Sequence, residues 1–223
     1  MFTFIGLAAL AISSLIQGWL RNIYSKWMRA ANSSGLTGAQ VARAILDANG
    51  LRNVRVEATR GILSDHYDPR ITTVRLSEGN FGYANIAGMA VAAHEVGHAI
   101  QHAKAYGPLA FRTLLLPVAN IGSRFGPLIA IFGLAMGGTQ SPLLPVGLML
   151  FAVAVLFQIV TLPVEFDASR RALIELERLG LATSTDVSAS RQVLNAAALT
   201  YVAAAATSAA YLFYYASFLF RRR

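Results

Sequence analysis

Apolar positions in this chain gather into four long runs separated by two polar stretches. Residues 2–20 and 143–162 carry no charged side chain. The runs 114–136 and 196–220 are less clean. Pro117, Ser123 and Arg124 interrupt the first, while alanine dominates the second and aromatic residues crowd its far end. A membrane-crossing helix needs about 20 predominantly apolar residues, so each run is a candidate span. The first run has the alternative of a secretory signal peptide, but Met1-Phe2-Thr3-Phe4 lacks a basic n-region. It ends in Trp19, Arg21, Tyr24, Lys26, Trp27 and Arg29, an aromatic and basic collar suited to a membrane interface. It therefore reads as an uncleaved anchor. The short uncharged segment 137–142 makes 114–136 and 143–162 a hairpin.

The polar stretches carry different periods. Thr37-Gly38-Ala39-Gln40 has capping-box spacing. Val41, Ala42, Ile45 and Leu46 follow at helical intervals, and Gly50 is a natural stop. Residues 53–57 alternate polar and apolar, as a strand with one wet face does. A second β-prone run, Ile71–Leu76, is entered through the turn residues Asp68-Pro69-Arg70. Together these predict a small antiparallel sheet, with Ile71–Leu76 as the candidate edge strand for an extended peptide. Residues 86–103 then read as a helix.

Composition agrees with the pattern. Only 13% of the 223 residues are charged and the mean hydropathy is +0.50, whereas soluble domains average about 25% charged. The expected fold class is mainly α: a polytopic membrane protein with about four transmembrane helices and a small α+β catalytic region. The formal charge of +8 would suit nucleic acid in a soluble protein. In this context it belongs beside anionic lipid, and no nucleic-acid partner is expected. The absence of cysteine excludes disulfides, thiolate metal sites and thiol catalysis. Ten lysines and arginines lie between Arg21 and Lys104, with Arg112 just beyond, and four more between residues 164 and 191. The first residues and the 137–142 turn have none. The positive-inside rule puts the polar segments, 21–112 and 164–195, in the cytoplasm. Arg221–Arg223 run against this orientation if the last span crosses completely.

The candidate chemistry lies in the 86–103 helix. His94 and His98 are four residues apart and so leave the same helix face, where two imidazoles can take two corners of a tetrahedral Zn²⁺. Glu95 is placed to act as general base on an activated water, which is the HExxH arrangement. Two imidazoles and an acid in an otherwise apolar helix are costly without a ligand. A third ligand is required. The metzincin continuation would need a glycine and then a histidine where this chain has Gln101 and Lys104. His102 is two turns from His94, about 12 Å along the axis, too far to share one ion on a straight helix; it reads as a supporting or interfacial residue. The first acidic residue after Glu95 is Glu165, where the 143–162 run ends and a new helix continues toward Gly180. Glu165 is the leading third ligand and Asp167 the runner-up, otherwise free to pair with Arg170 or Arg171. His66, Tyr67, Arg191 and Tyr201 are candidates for an additional oxyanion donor.

The chain resembles the YugP-type neutral zinc metallopeptidases, bacterial membrane proteins of about this length. The resemblance rests on Asp65-His66-Tyr67-Asp68-Pro69-Arg70, on His94-Glu95-Val96-Gly97-His98-Ala99-Ile100-Gln101-His102, and on Leu162-Pro163-Val164-Glu165-Phe166-Asp167-Ala168-Ser169. A weaker match covers residues 195–203. It spans almost the whole chain and implies a bacterial inner-membrane location and peptidase activity. A more distant similarity is to HtpX-type and CAAX-processing membrane proteases, which continue the downstream glutamate as Glu-x-x-x-Asp. Here Ser169 stands four residues after Glu165, which leaves the support of the histidines open.

The expectation is thus one metallopeptidase domain over residues 1–223, with zincin-like catalytic segments and one Zn²⁺ per chain on His94, His98 and Glu165. It would cleave polypeptides at the bilayer with Glu95 as base, its site near the cytoplasmic face. The competing reading is a catalytically silent zinc-binding membrane scaffold. The presence of Glu95 favours the enzyme.

Overall fold

The computed structural model describes residues 2–220 and is mainly helical, with one small sheet. Arg221–Arg223, which bear on the membrane orientation, lie outside the described residues. The chain divides into two compact units, one of residues 1–15, 107–163 and 200–223, the other of residues 16–106 and 164–199.

The second unit has the core of a soluble domain. Helix α1 (Phe2–Met28) enters it, and α2 (Gly38–Ala48) follows with the expected capping box between Thr37 and Gln40. Val41, Ala42, Ile45 and Leu46 are fully buried, the stripe their spacing predicts, and each large aliphatic side chain so buried stabilises by about 1.5–3 kcal/mol. Gly50 at φ 73° takes the left-handed turn after the helix. Three strands form the sheet: β1 (Arg55–Thr59), β2 (His66–Asp68) and β3 (Thr73–Ser77), in the order β1-β3-β2.

This corrects two expectations. β1 pairs with β3 in parallel, Val56 opposite Val74, and only β2 is antiparallel, Tyr67 opposite Val74. The turn through Asp68-Pro69-Arg70 joins β2 to β3, while the long connection after β1 lets the chain return before β3 begins. The Ile71–Leu76 segment is also no edge, because Thr73–Ser77 is the central strand, paired on both sides. Asp65 secures its end by accepting from Ser77 N–H at 2.7 Å and Asn80 Nδ2 at 3.0 Å. A short helix, α3 (Glu78–Gly82), then leads to α4 (Ile86–Ala103). Val41, Ile45, Val74, Leu76, Met89, Val96, Leu176 and Val193 share one core.

The first unit is built from long apolar helices. Here α5 (Gly107–Gly137) turns through residues 138–142 into α6 (Leu143–Arg178), and α7 (Ser184–Phe220) completes the order. The hairpin expected at 137–142 is present. Its helices approach through small residues: a Cβ on Gly126 would stand 2.7 Å from the Phe151 nitrogen, and one on Gly133 2.8 Å from the Leu144 nitrogen. Close backbone approach of this kind suits helices that lack a hydrophobic driving force in lipid.

No new helix starts after Leu162. α6 continues through Pro163 to Arg178; the ring removes one backbone donor and leaves the rest of the hydrogen-bond ladder in place. Among the described residues three helical segments are long and apolar enough to cross a membrane: Gly107–Gln140, Leu143–Arg178 and Ser184–Phe220. The first expected span lies on α1, which is not one of these three.

Candidate metal centre

Helix α4 starts at Asn85, whose Oδ1 accepts from Gly88 N–H at 2.6 Å. One turn separates His94 from His98, and their rings stand nearly perpendicular, 83° apart, with centroids at 4.8 Å. Gly97 lies between them in sequence. A Cβ there would stand 2.5 Å from the Ala168 carbonyl oxygen of α6. The absence of a side chain at Gly97 thus lets the α6 backbone come close enough for Glu165 to meet both histidines. Glu165 Oε2 lies 3.3 Å from His94 Nε2 and 3.7 Å from His98 Nε2. One donor atom from each of the three residues lies within 4.8 Å of the other two.

The opposite ring nitrogens are held. Gln101 Oε1 lies 3.0 Å from His98 Nδ1, and Ser169 Oγ lies 3.1 Å from His94 Nδ1. A glutamine carbonyl oxygen can only accept, so His98 Nδ1 donates to it, and Nε2 is the ring nitrogen left facing Glu165. Gln101 is fully buried and is itself anchored. Its Nε2 donates to the Val164 carbonyl at 2.8 Å and to Asp167 Oδ2 at 3.0 Å. Asp167 in turn accepts from Arg170 Nη2 at 2.6 Å and Arg171 Nε at 2.5 Å. A hydrogen-bonded chain therefore runs from two arginines to the imidazole of His98.

Glu95 is buried at 8% exposure and is not one of the three clustered donors. Burial pushes its carboxyl pKa up, the neighbouring His94 and His98 oppose the shift, and Glu165 and Asp65 reinforce it. For His98, burial disfavours the charged ring, but the bond to Glu165 and the charges of Glu95 and Glu165 prevail, so its pKa is raised. The site accordingly favours positive charge. Two imidazole nitrogens and a carboxylate, converging with their far sides hydrogen-bonded, fit the three-ligand pattern of a catalytic Zn²⁺ site.

The remaining candidates go elsewhere. Asp167 is occupied by Gln101 and the arginine pair, outside the three-donor cluster. His102 is exposed, with its Nδ1 2.9 Å from the Tyr67 hydroxyl. His66 Nδ1 lies 2.8 Å from the Ser64 carbonyl oxygen, and Arg191 and Tyr201 are exposed on α7. Sequence reasoning missed Gln101 and Ser169 as supports for the histidines. Gln101 had a legible signal, a polar residue three positions after His98 on an apolar helix. Ser169 reads in the sequence only as a departure from the Glu-x-x-x-Asp pattern, yet its hydroxyl contacts His94 as a short, uncharged partner.

These features coincide with a family pattern. The model of the putative neutral zinc metallopeptidases matches residues 2–220, and the chain belongs to that family. Among its relatives is a protein of Bacillus subtilis (strain 168) called "Putative membrane protease YugP", 45% identical over 208 residues, covering 93% of this chain and 92% of that protein. No solved structure matches the chain.

Proposed function

We propose that this chain is a membrane-embedded zinc endopeptidase acting as one domain over residues 1–223. His94, His98 and Glu165 would hold one Zn²⁺. The observation that carries this reading is the convergence of those three donors while Gln101 and Ser169 engage the histidines from behind. Bound zinc supplies Lewis acidity, polarising a peptide carbonyl and lowering the pKa of water toward about 7. Glu95 takes the proton of the attacking water and returns it to the departing amine. Its raised pKa suits both duties, since a carboxyl nearer neutrality accepts and releases protons at working pH.

With four spans, the three apolar helical segments and α1, the polar segments 21–112 and 164–195 would lie on the cytoplasmic side of a bacterial inner membrane. Substrates would be extended or membrane-associated polypeptides. The test is zinc content by mass spectrometry of the purified, detergent-solubilised protein. About one zinc per chain, sharply reduced in Glu165→Ala, supports the site. Failure of the wild type to hold zinc even when supplied would overturn the site, and one zinc per chain without peptidase activity would favour the silent zinc-binding scaffold.

A further inference from the structure

Helix α5 has two faces of opposite character. Ala119, Gly122, Gly126, Ala130 and Gly133 are buried, and the close approaches of Gly122, Gly126 and Gly133 are to α6. At the same helical spacing on another side, Asn120, Arg124, Leu128 and Ile131 are exposed. An arginine thus stands on an exposed face with an amide one turn before it and the apolar Leu128 and Ile131 after it. Arg124 makes no hydrogen bond or ion pair among the described residues. No internal neutralisation is available from its own unit either: residues 1–15, 107–163 and 200–223 contain no aspartate or glutamate.

Register with α6 fixes how deep this charge lies. Arg124 falls between Gly122 and Gly126, which meet α6 at Leu150 and Phe151. At a rise of about 1.5 Å per residue, that level is about 11 Å along α6 from Leu143 and about 18 Å from Leu162. Both distances exceed the reach of a stretched arginine side chain, so a headgroup phosphate at either end of the apolar run is out of range. A guanidinium at such depth is expensive unless paired. Beside it, Pro127 cannot donate to the Ser123 carbonyl, leaving a backbone acceptor free of its usual helical partner. The exposed Asn120 amide lies one turn away on the Arg124 face.

We propose that this face of α5 docks a transmembrane helix of another protein carrying a carboxylate near mid-membrane, with Arg124 as its counter-ion and Asn120 as a second hydrogen-bonding group. Pairing through a second copy of the same unit supplies no carboxylate, so the partner is a different protein. The proposal rests on the membrane reading above but not on zinc or catalysis.

Because the chain has no cysteine, Ser123→Cys introduces a unique label. In phosphatidylcholine vesicles this thiol should resist a membrane-impermeant maleimide and be quenched by lipids spin-labelled at mid-chain. Ready aqueous labelling would overturn the assigned depth and with it the proposal. Binding is then measured by energy transfer between the full-length protein and a leucine–alanine transmembrane peptide with one central glutamate. The expected preference over the glutamine version of that peptide is about tenfold, lost in Arg124→Gln. A peptide with central lysine should instead select Arg124→Glu, which guards against a variant that merely misfolds. Equal binding of the glutamate and glutamine peptides, or a preference that survives Arg124→Gln, overturns the proposal. Arg124-dependent enrichment of phosphatidylglycerol without peptide selectivity also overturns it, assigning the charge to lipid.

Discussion

The two units of this protein solve the packing problem with opposite materials. Residues 107–163 bring helices together by removing side chains: Gly122, Gly126, Gly133 and Gly147 leave the α5 and α6 backbones in close approach. The unit of residues 16–106 and 164–199 instead interlocks Ile45, Leu46, Leu76, Met89 and Leu176, as soluble cores do. Against that apolar body it carries hydrogen-bonded polar groups, Gln101, Asp167 and Glu165 among them. With residues 107–163 in lipid, as proposed above, the difference follows from solvent. Apolar side chains gain nothing by meeting each other in lipid, so close backbone contact does the work there, whereas in water burial itself stabilises. The second unit uses the device of the first as well: at Gly38, on α2, a Cβ would stand 2.1 Å from the Asn80 carbonyl oxygen. Gly97 opens α4 to the Ala168 backbone, and the contact serves a site.

The comparison can be sharpened by experiment. The largest effect is expected from Glu95→Gln, which should lower peptidase turnover by about 100- to 10,000-fold while zinc content, read by mass spectrometry, stays near wild type. Loss of zinc in that variant would show that Glu95 is a ligand and overturn its assignment as base.

Next come the residues behind the histidines. Gln101→Ala and Ser169→Ala should each weaken zinc binding by about 10- to 100-fold, measured by competition with a chromophoric chelator. The Gln101 variant should be the worse of the two, because it also removes the amide that ties α4 to Asp167 and the Val164 carbonyl on α6. Equal affinity in both variants and wild type would make the two contacts incidental to the site.

Glycine replacements separate the two units. Gly97→Ala and Gly126→Ala should each cost about 1–3 kcal/mol of stability through overpacking against backbone, seen as a lowered melting temperature. Only Gly97→Ala should also reduce zinc affinity, because only there does the added methyl push away the helix that carries Glu165. A zinc defect of equal size in Gly126→Ala would break this distinction.

The smallest effect concerns Asp68, whose carboxyl is held down to about 2 by hydrogen bonds from Arg70. A depressed carboxylate pKa stabilises above the ordinary value of about 3.9 and loses that contribution as pH falls toward the folded value. Arg70→Ala should therefore melt slightly below wild type near neutral pH, and the gap should close as pH falls from about 4 to about 2. A gap that persists at low pH would assign the difference to packing instead.

Much of this was legible beforehand where the signal is local. Helix α2 follows from Thr37, Gln40 and its aliphatic spacing, and α4 occupies the expected residues 86–103, because capping and periodicity act within a few turns. The His94/His98 pairing is likewise a consequence of 3.6 residues per turn. The sheet was misread because register and direction depend on partners distant in sequence. Nothing in Ile71–Leu76 states that β2 and β1 flank it on both sides. The apolar runs, the uncharged turn at 137–142 and the absence of acid between Glu95 and Glu165 were equally plain, and they narrowed the third donor to Glu165 or Asp167.

Sequence by itself determined that two histidines share a helix face, that a carboxylate from the 165–167 region is available, and that the chain also carries long apolar runs. Tertiary structure decided which carboxylate faces the imidazoles. Glu165 and Asp167 differ by two positions on α6, about 200° around a helix at 3.6 residues per turn, so one faces the histidines and the other meets Gln101 and the arginines. It also decided that Ser169 stands behind the His94 ring and that Gln101 is anchored on Val164 and Asp167, since hydrogen bonds across two helices depend on how closely Gly97 lets them approach.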